Sequence, residues 1–466
     1  MATARIYRTQ GAGTRTKWTY SVWCKFNMSA IAQAYWKNTL LCGYKASDNY
    51  TQMNIQNSGH LDFVNVTNGS TDARLTTNRK FRDSTAWYHF VFVWDTSNST
   101  AGDRMKIYVN GVEETSFSTD TNPSSGLESF INKSTHDIEI GSRAGGSNYF
   151  NGVMSHAQFV DNQALAPTEF GEFDATDGMW KIKTGTYATI GSQGWHLKME
   201  DSTNLDLDSS SNAHTFTTAG TLISTKDTPS NNLATNNYLM PTIDFTNDSI
   251  ASIGNRTLMQ TSNYKSMYST LGVEAGKWYA EFKLTTDSGT GSTSFVGVLN
   301  GDKYPFFGQD LTERAIANNA NGVAYVRNGG IDYNSGTAVS GQSTYTSGDI
   351  LQIALDVDNG FIYFGKNNTW QQGDGSNTGV PTSGASGTGG YPITNSTIGT
   401  GGTYFMGFGG KSGNSAPYWD INWGNGAFHN ANIGTVYADS NGEGAFNYAP
   451  PTNFLTICTK NIATNG

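Results

Sequence analysis

GDILQIALDVDNGFIYFGKNNTW, from Gly348 to Trp370, is the part of the chain with the clearest structural pattern. Apolar residues stand at every second position from Leu351 to Val357, so they share one face of a β-strand. A second apolar run begins directly after Asn359-Gly360. Because Asn-Gly favours the positive φ angles of a type I′ turn, the stretch predicts a β-hairpin with a two-residue turn.

Composition extends this prediction to the whole chain. At 466 residues it is too long for one ordinary core, so two or three domains are expected. Only 14% of the residues are charged, and Asn, Thr, Ser, Gly and Gln supply most of the polarity. With 54 Gly, 10 Pro and 12% aromatic residues, the chain is typical of many short strands joined by tight turns. We therefore expect an all-β protein.

Charge and hydropathy exclude several classes of partner. The formal net charge is −9 and no Lys/Arg cluster is present, which argues against nucleic acid binding. No apolar run approaches the roughly 18 to 20 residues of a membrane span, and the N-terminus lacks the apolar core of a secretory signal. We expect synthesis in a cytoplasm and no membrane insertion. The three cysteines, Cys24, Cys42 and Cys458, form no C-x-x-C pair and are interpreted as buried thiols.

The N-terminal part contains further strands with one aromatic and aliphatic face. Alternation runs through Lys17–Phe26 (KWTYSVWCKF) and again from Trp87 to Asp95. A third strand, Met105 to Asn110, is closed by an Asn110-Gly111 turn, and the return strand is expected over Val112 to Phe117. Such strands predict a sandwich of two packed sheets.

Two segments in the same region carry a family resemblance: WYHFVFVWDTSNSTAGDRMKIYVNGVEETSF from Trp87, and HDIEIGSRAGGSNYFNGVMSHAQFVDNQALAPTEF from His136. Their motif order resembles that of laminin-G-like members of the concanavalin A-like lectin/glucanase superfamily. The resemblance covers residues 1–175 and implies an antiparallel β-sandwich domain.

Two further regions follow. Residues 176–253 are rich in turn formers and are interpreted as an irregular connector with a few possible strands; its DTPSNN piece resembles a connector of bacteriophage virion proteins. Residues 254–466 resemble a SPRY (B30.2-like) domain through three motifs: KWYAE, the hairpin from Gly348 to Trp370, and NWG. The ending FNYAPPTNFLTICT resembles the ending of SPRY-bearing phage structural proteins. The predicted fold is therefore all-β, with two antiparallel, jelly-roll-like β-sandwich domains joined by this connector.

The superfamily includes glycosidases, which place two or three carboxylates on one strand as E-x-D-x-x-E. This chain offers only Asp137-Ile138-Glu139, and in the laminin-G-like pattern that strand is an ordinary sheet element with a solvated outer side. We therefore predict that the protein is not an enzyme. No cofactor is expected. Calcium stays open without a clear motif, and its loop ligands could include the carboxylates of Asp48, Asp72, Asp83 and Asp103.

Sugar binding needs an aromatic face for the C–H side of a pyranose and amide or carboxylate groups for its hydroxyls. Loop aromatics supply the predicted glycan-binding residues. In the first domain they are Tyr35, Trp36, Tyr50 and Tyr149; in the second they are Tyr304, Phe306, Phe307 and Trp370. Trp419 and Trp423 alternate within a strand, and one of them is expected to fill the core.

The two resemblances together favour a non-catalytic bacteriophage protein on the virion exterior: a tail or head fibre, a spike or a capsid decoration. Its loops would bind host cell-surface polysaccharide, and its other partners would be virion proteins, with many copies per particle. The alternative is a purely architectural virion subunit without a ligand. A polysaccharide-degrading enzyme is the third, less favoured class.

Overall fold

A computed structural model of the chain describes the following residues: 4–26, 38–143, 145–176, 178–183, 189–237, 249–253, 256–260, 265–287, 289, 293–303, 316, 321–334, 336–393, 398, 401–411, 416–429 and 431–466. None of the helices within them is long and apolar enough to cross a membrane. The described residues fold into two compact units. Unit 1 takes in residues 4–224 and 228–230, and unit 2 takes in 225–227 and 231–466.

Unit 1 consists of short strands with two 3₁₀ turns at Ala101–Asp103 and Pro167–Glu169. Its strands are β1 Arg5–Thr9, β2 Lys17–Phe26, β3 Asn38–Ala46, β4 Asn49–Ile55, β5 His60–Thr67, β6 Ser70–Lys80, β7 Tyr88–Asp95, β8 Met105–Val109, β9 Val112–Glu113, β10 Phe117–Thr121, β11 Asp137–Ile140, β12 Gly152–Asp161, β13 Gly171–Phe173, β14 Trp180–Ile182, β15 Trp195–Leu197 and β16 Thr217–Ala219.

All strands of unit 1 except β13 and β14, which pair with each other, form two antiparallel sheets around one core. Among the described residues, the order is β10-β6-β5-β4-β3-β11-β1-β16 in one sheet and β15-β12-β2-β7-β8-β9 in the other. Side chains from both sheets meet in the core, where the Trp18 and Trp94 rings stack at 6.1 Å and both contact Phe63. The predicted sandwich is confirmed, and so is the strand Lys17–Phe26.

The Asn110-Gly111 turn is also confirmed, because Val109 pairs with Val112 and both turn residues have positive φ. The return strand is shorter than predicted. It ends at Glu113, and Phe117 begins β10, which pairs with β6 of the other sheet. The chain therefore crosses from one sheet to the other between Glu113 and Phe117, whereas the sequence pattern predicts one continuous strand there.

The outer face of the β2–β7 sheet is covered as well. Val91 and Val93 point away from the core and pack with Val160, Phe170 and Ile190. Further along the chain, β15 pairs with β12, and β16 pairs with β1 of the other sheet. The stretch after residue 165 thus forms a second layer on this sheet and adds a strand to each of the two sheets.

Unit 2 is built in the same way, with 3₁₀ turns at Gly301–Lys303 and Pro381–Ser386 and an α-helix, α1, at Thr459–Asn465. Its strands are β17 Ser249–Ile253, β18 Arg256–Gln260, β19 Lys265–Tyr268, β20 Lys277–Thr286, β21 Ser294–Asn300, β22 Gly322–Val326, β23 Gly330–Tyr333, β24 Gly336–Val339, β25 Ile350–Asp356, β26 Phe361–Lys366, β27 Thr369–Trp370, β28 Tyr391–Pro392, β29 Tyr404–Gly410, β30 Tyr418–Asn422, β31 Ala427–Phe428, β32 Ala431–Asn432, β33 Tyr437–Ala438 and β34 Ala445–Phe446.

Two antiparallel sheets again enclose a core. Within the described residues their orders are β17-β18-β30-β20-β25-β26-β27, with β28 on β26, and β19-β29-β21-β22-β23-β24. Leu351, Ile353 and Leu355 lie in the core, as their alternation predicts. Trp419 and Trp423 are both fully buried there, whereas the sequence analysis places only one of them inside. All three cysteines are buried and free, as expected.

The hairpin β25–β26 exists, but its turn differs from the prediction. Asp356 pairs with Phe361, so the loop has four residues, and only Gly360 in it has positive φ. The Asp356 carboxylate accepts hydrogen bonds from the backbone N–H and the amide of Asn359, at 3.0 and 2.8 Å. This local capping favours the longer loop over a type I′ turn.

The C-terminal segment covers the outer face of the β20–β25–β26 sheet. Phe446 and Phe454 are fully buried against Tyr279 and Tyr363, whose side chains point away from the core. Leu455 exchanges backbone hydrogen bonds with the start of β20. This packing explains why the chain end carries buried aromatic and apolar residues without forming long strands.

One buried carboxylate fastens this segment. The Glu281 side chain accepts hydrogen bonds from the backbone N–H groups of Asn447 and Tyr448, at 2.8 and 2.7 Å, from the Asn422 amide, and from the Tyr279 hydroxyl. Burial raises the pKa of Glu281 to about 7, although the two backbone N–H groups and the other donors act in the opposite direction. Glu281 therefore links the covering segment to β20, and the protonation state of its carboxyl group affects the stability of unit 2.

The raised pKa predicts a pH dependence of unit 2. An unfolded chain releases the Glu281 proton near the ordinary glutamate pKa of 4.5, whereas the folded unit holds it to about 7. The contribution of Glu281 to the free energy of unfolding is therefore fully present below pH 4.5 and is lost as the pH rises towards 7. Hydrogen exchange of peptides spanning Lys277–Thr286, corrected for intrinsic rates, should show this fall in opening free energy. Glu281→Gln, which cannot ionise, should flatten it; an unchanged slope in the variant would contradict the assignment.

Candidate functional site

Tyr50 is the predicted glycan-binding residue whose surroundings are most fully defined. It lies half-buried in β4, and the Arg143 guanidinium stands 3.9 Å from the centre of its ring. Arg143 also donates to the Ser47 carbonyl at 3.2 Å, which holds it there. One face of the Tyr50 ring is therefore covered by a cation and only the other is left for a ligand.

The remaining predicted residues are placed as follows. Tyr149 is half-buried, with its hydroxyl against Gly146, and Trp370 is half-buried on the aromatic cluster around Tyr363. The other five predicted residues lie outside the described residues, so their role stays a prediction: Tyr35, Trp36, Tyr304, Phe306 and Phe307. Tyr149 and Tyr50 both belong to unit 1, and Trp370 belongs to unit 2.

The Asp137 and Glu139 carboxylates differ from the expectation of a solvated pair. Glu139 is only 1% exposed, because β11 lies between β1 and β3. Its carboxylate accepts hydrogen bonds from Arg5 and from the Gly145 backbone N–H, both at 2.6 Å, and from the Ser142 hydroxyl. Asp137 accepts a bond from Thr9. The expectation of a solvated outer side is thus wrong for Glu139, which is a buried ion-pair partner of Arg5.

A Ser–His pair lies on the outer face of the β2–β7 sheet. The Ser21 hydroxyl and His89 Nε2 are 2.7 Å apart, and Trp180 Nε1 donates to His89 Nδ1 at 2.9 Å. Because the indole N–H can only donate, Nδ1 carries no proton and Nε2–H must donate to Ser21. This is the reverse of a serine nucleophile activated by a histidine base, in which the hydroxyl donates.

Electrostatics agree with this neutral tautomer. Burial lowers the pKa of His89 to about 3, and the neighbouring His156 adds to the effect. A histidine with such a pKa is uncharged at physiological pH and is a poor proton acceptor. The Ser21–His89 pair therefore has a structural role, because His89 holds the Trp180 indole in place.

Sequence reasoning missed this arrangement. Ser21 and His89 stand at the alternate positions of two strands whose aromatic faces were recognised, so their place on the outer face could have been read from the same pattern. Trp180 gives no comparable signal. It lies in the turn-rich stretch interpreted as a connector, and its ring rests against Gly111 and Gly171, where any side chain would collide with it.

The four loop carboxylates named as possible calcium ligands are engaged separately. Asp48 accepts from Asn49, Asp72 from Asn65, and Asp83 from Thr85. Asp103 binds the Lys106 ammonium at 2.9 Å. Over the part of the chain that the structure describes, no three His, Cys, Asp or Glu side chains group together in a way that could hold a metal ion.

Unit 2 has a shallow cavity of ≈ 400 Å³ beside the start of β20. Its lining is mostly polar: Gly276, Lys277, Asp358, Ser440, Asn441, Asn453, Leu455 and Asn465. The wall is held in place by hydrogen bonds from the Gly276 N–H to Asp358, at 2.7 Å, and from the Asn453 N–H to the Ser440 hydroxyl, at 2.8 Å. The cavity therefore offers amide, hydroxyl, carboxylate and ammonium groups on a supported surface.

Residues 4–169 match the family model described as the Concanavalin A-like lectin/glucanases superfamily. With the two packed sheets of unit 1, this match identifies a lectin-like β-sandwich domain in the N-terminal part of the chain. The matched range stops before β13 and β14, so Trp180 lies outside it. A comparison with curated proteins gave no match.

Solved structures with some likeness include three β-proteins. The SPRY domain of human HERC1 is 17% identical, with a TM-score of 0.26, over 36% of this chain and 86% of that domain. A heptameric SAP-like pentraxin from Limulus polyphemus is 15% identical, with a TM-score of 0.27, over 39% of this chain and 87% of its own. Domains LG4-5 of the mouse laminin alpha1 chain are 10% identical, with a TM-score of 0.28, over 90% and 85%. Likeness at this level says nothing about ligands.

The buried histidines predict the acid sensitivity of unit 1. Burial lowers the pKa values of His89 and His196 to about 3, so below the ordinary 6.5 the unfolded chain takes up protons that the folded unit does not. Stability should fall as the pH drops from 6.5 towards 3, by about 1.4 kcal/mol per pH unit for each ring. Hydrogen exchange of peptides spanning Tyr88–Asp95 measures this slope.

His89→Gln removes one titrating ring and keeps an acceptor within reach of Trp180. Its slope should be smaller than that of the wild-type protein by about 1.4 kcal/mol per pH unit, because one ring is removed while His196, His156 and His214, whose pKa values burial also lowers, still titrate. A variant with the full wild-type slope would show that His89 is not the group responsible.

Proposed function

We infer that this chain is a non-catalytic, glycan-binding protein on the exterior of a bacteriophage virion. The glycan-binding part is carried by one observation, the match of residues 4–169 to the concanavalin A-like lectin/glucanases superfamily. The composition supports it. A surface rich in Asn, Thr and Ser with only 14% charged residues offers many neutral hydrogen-bonding groups, which suit hydroxyl-rich ligands.

A first glycan site is proposed at the polar cavity of unit 2, which lies outside the matched residues 4–169 and is supported by its own lining alone. Three asparagines line it, namely Asn441, Asn453 and Asn465, and their amide oxygens can accept hydrogen bonds from sugar hydroxyls. The Asn465 amide N–H groups already donate to Asn461 and Thr464, and Asn441 donates one N–H to Asn461. Lys277 and Asp358 add a cation and an anion. Lys277 is already paired with Asp356 at 2.8 Å, so Lys277, Asp356 and Asp358 together carry a charge of −1, which disfavours an anionic ligand and is compatible with a neutral one.

The absence of catalysis is proposed from the state of the two sites that resemble catalytic ones. The Glu139 carboxylate is saturated by Arg5, Gly145 and Ser142. His89 is neutral and donates to Ser21 instead of accepting its proton. A glycosidase needs a nucleophile and a general acid facing one glycosidic bond. Among the described residues, Glu139 and its neighbour Asp137 are instead engaged by Arg5 and Thr9.

The virion part of the proposal is supported by the sequence resemblances of the connector and the chain ending to phage structural proteins. The competing class is an architectural subunit without a ligand. It differs in an observable way, since its loops would be buried against neighbouring subunits. An electron-microscopy map of whole particles should show both units on the outside, with the cavity beside Lys277 open to solvent. Finding that surface buried between subunits would instead favour the architectural class.

A cavity variant tests glycan binding directly. Asn453 has φ +69°, so Asn453→Gly removes the amide while keeping a backbone conformation that glycine tolerates. Loss of one or two hydrogen bonds should weaken binding of host surface polysaccharide by about 3- to 10-fold, measured by titration of the full chain. Asn368→Gly is the matched control, since Asn368 is exposed, has φ +67° and lies outside the cavity.

Equal affinities for the wild-type protein and Asn453→Gly would exclude the cavity as the site. Absence of binding by the wild-type protein to any host polysaccharide would contradict the proposed function itself. New reducing ends released from the polysaccharide during the titration would identify a hydrolase.

A further inference from the structure

Unit 1 exposes a small aromatic surface on a hairpin outside the range matched by the lectin-like family model. Strands β13 and β14 pair so that Phe173 stands directly opposite Trp180. Their ring centres are 4.8 Å apart in an edge-to-face arrangement. Phe173 is 55% exposed, and Met179 beside Trp180 is 65% exposed. We call Phe173, Met179 and Trp180 the aromatic hairpin surface.

This surface is held rigidly from below. Trp180 Nε1 donates to His89, so the polar edge of the indole is satisfied towards the protein. The ring rests on Gly111 of the β8–β9 turn and on Gly171, and a Cβ at either glycine would stand within 2.5 Å of it. An aromatic surface whose rotamer is fixed in advance loses little entropy when a ligand packs on it.

The charged groups described around the surface include more anions than cations. Lys181 pairs with Asp174 and Glu172, at 2.8 and 3.6 Å. On the hairpin under Trp180, Lys106 pairs with Asp103 and Glu113, at 2.9 and 3.3 Å. Among the residues that the structure describes here, two cations and four anions sum to a charge of −2, which disfavours anionic ligands and also a second copy of the same surface.

The size of the surface also limits its ligand. An aromatic side chain contributes about 150 to 250 Å² even when fully covered, so two rings and a methionine fall short of the roughly 800 Å² per partner in a stable protein interface. The face of one or two sugar rings is a better match. Exposed rings bordered by hydrogen-bonding groups suit the C–H faces and hydroxyls of a pyranose.

We propose that the aromatic hairpin surface binds a neutral oligosaccharide by stacking a sugar ring on Phe173. This inference deepens the proposed function and rests on it, since it assigns a second glycan site, in unit 1. The ring of Phe173 is the exposed contact, and Trp180 with His89 fixes the position of that contact. Met179 extends the apolar border.

The test uses the full chain and neutral hexasaccharides of glucose, galactose and mannose. Binding is measured by saturation-transfer NMR and by titration. Phe173→Ala should weaken binding of the recognised hexasaccharide by about 3- to 10-fold, because a stacked ring is lost. Phe173→Tyr keeps the ring and should bind as the wild-type protein does. Leu207→Ala removes another exposed apolar side chain of unit 1 and should have no effect.

Three results would overturn the inference. If the wild-type protein binds a hexasaccharide and Phe173→Ala binds it equally well, this surface is not the site, and the proposed function stands. If no hexasaccharide or host polysaccharide binds the wild-type protein, both proposals fail. If Phe173→Ala abolishes a concentration-dependent dimer and leaves sugar binding unchanged, the surface is a contact between copies.

Discussion

The burial of both faces of the central strands is the constraint on which each unit depends. A β-strand sends alternate side chains to opposite faces, so one packed core covers only half of them. In β2, every residue after Lys17 is buried, and in β25 every residue is buried. A second layer must therefore cover the outer face of the sheet that contains β2 in unit 1 and of the sheet that contains β25 in unit 2. In unit 1 it comes from the stretch after residue 165, and in unit 2 from the C-terminal segment.

Each second layer is fixed by a buried polar group on a strand beneath it. His89 accepts the Trp180 indole N–H, and Glu281 accepts the backbone N–H groups of Asn447 and Tyr448. A buried polar group without a partner costs about 1 to 3 kcal/mol, so a covering segment shifted by one residue would lose this bond as well as its apolar contacts. Apolar burial supplies attraction without direction, and these bonds select one register.

Sequence periodicity could predict the strands of the two packed sheets, because apolar residues alternate along them. The inner faces of β2, β7 and β25 follow from alternation alone, and the Asn110-Gly111 turn follows from the conformational preference of those residues. The second layer has no period of its own. Trp180 is placed by Gly171 of the paired strand and by Gly111, which is distant in sequence. Such contacts depend on the assembled sheets, so the candidate surfaces built on them were not predictable.

The second layers also explain why the two candidate glycan surfaces differ in chemistry. Where a covering segment leaves a strand end, as beside Lys277, backbone turns expose amides and hydroxyls, and the surface is polar. Where a short hairpin lies on a sheet, as at Phe173 and Trp180, its outward side chains cannot be fully covered, and the surface is aromatic. Sugar recognition uses both kinds of contact, yet a single shallow site of either kind reaches only millimolar affinity, about 4 kcal/mol. Adhesion through such sites requires many copies acting together, because linked binding events multiply weak affinities. A low-charge surface suits that arrangement, since the combined affinity then depends little on ionic strength.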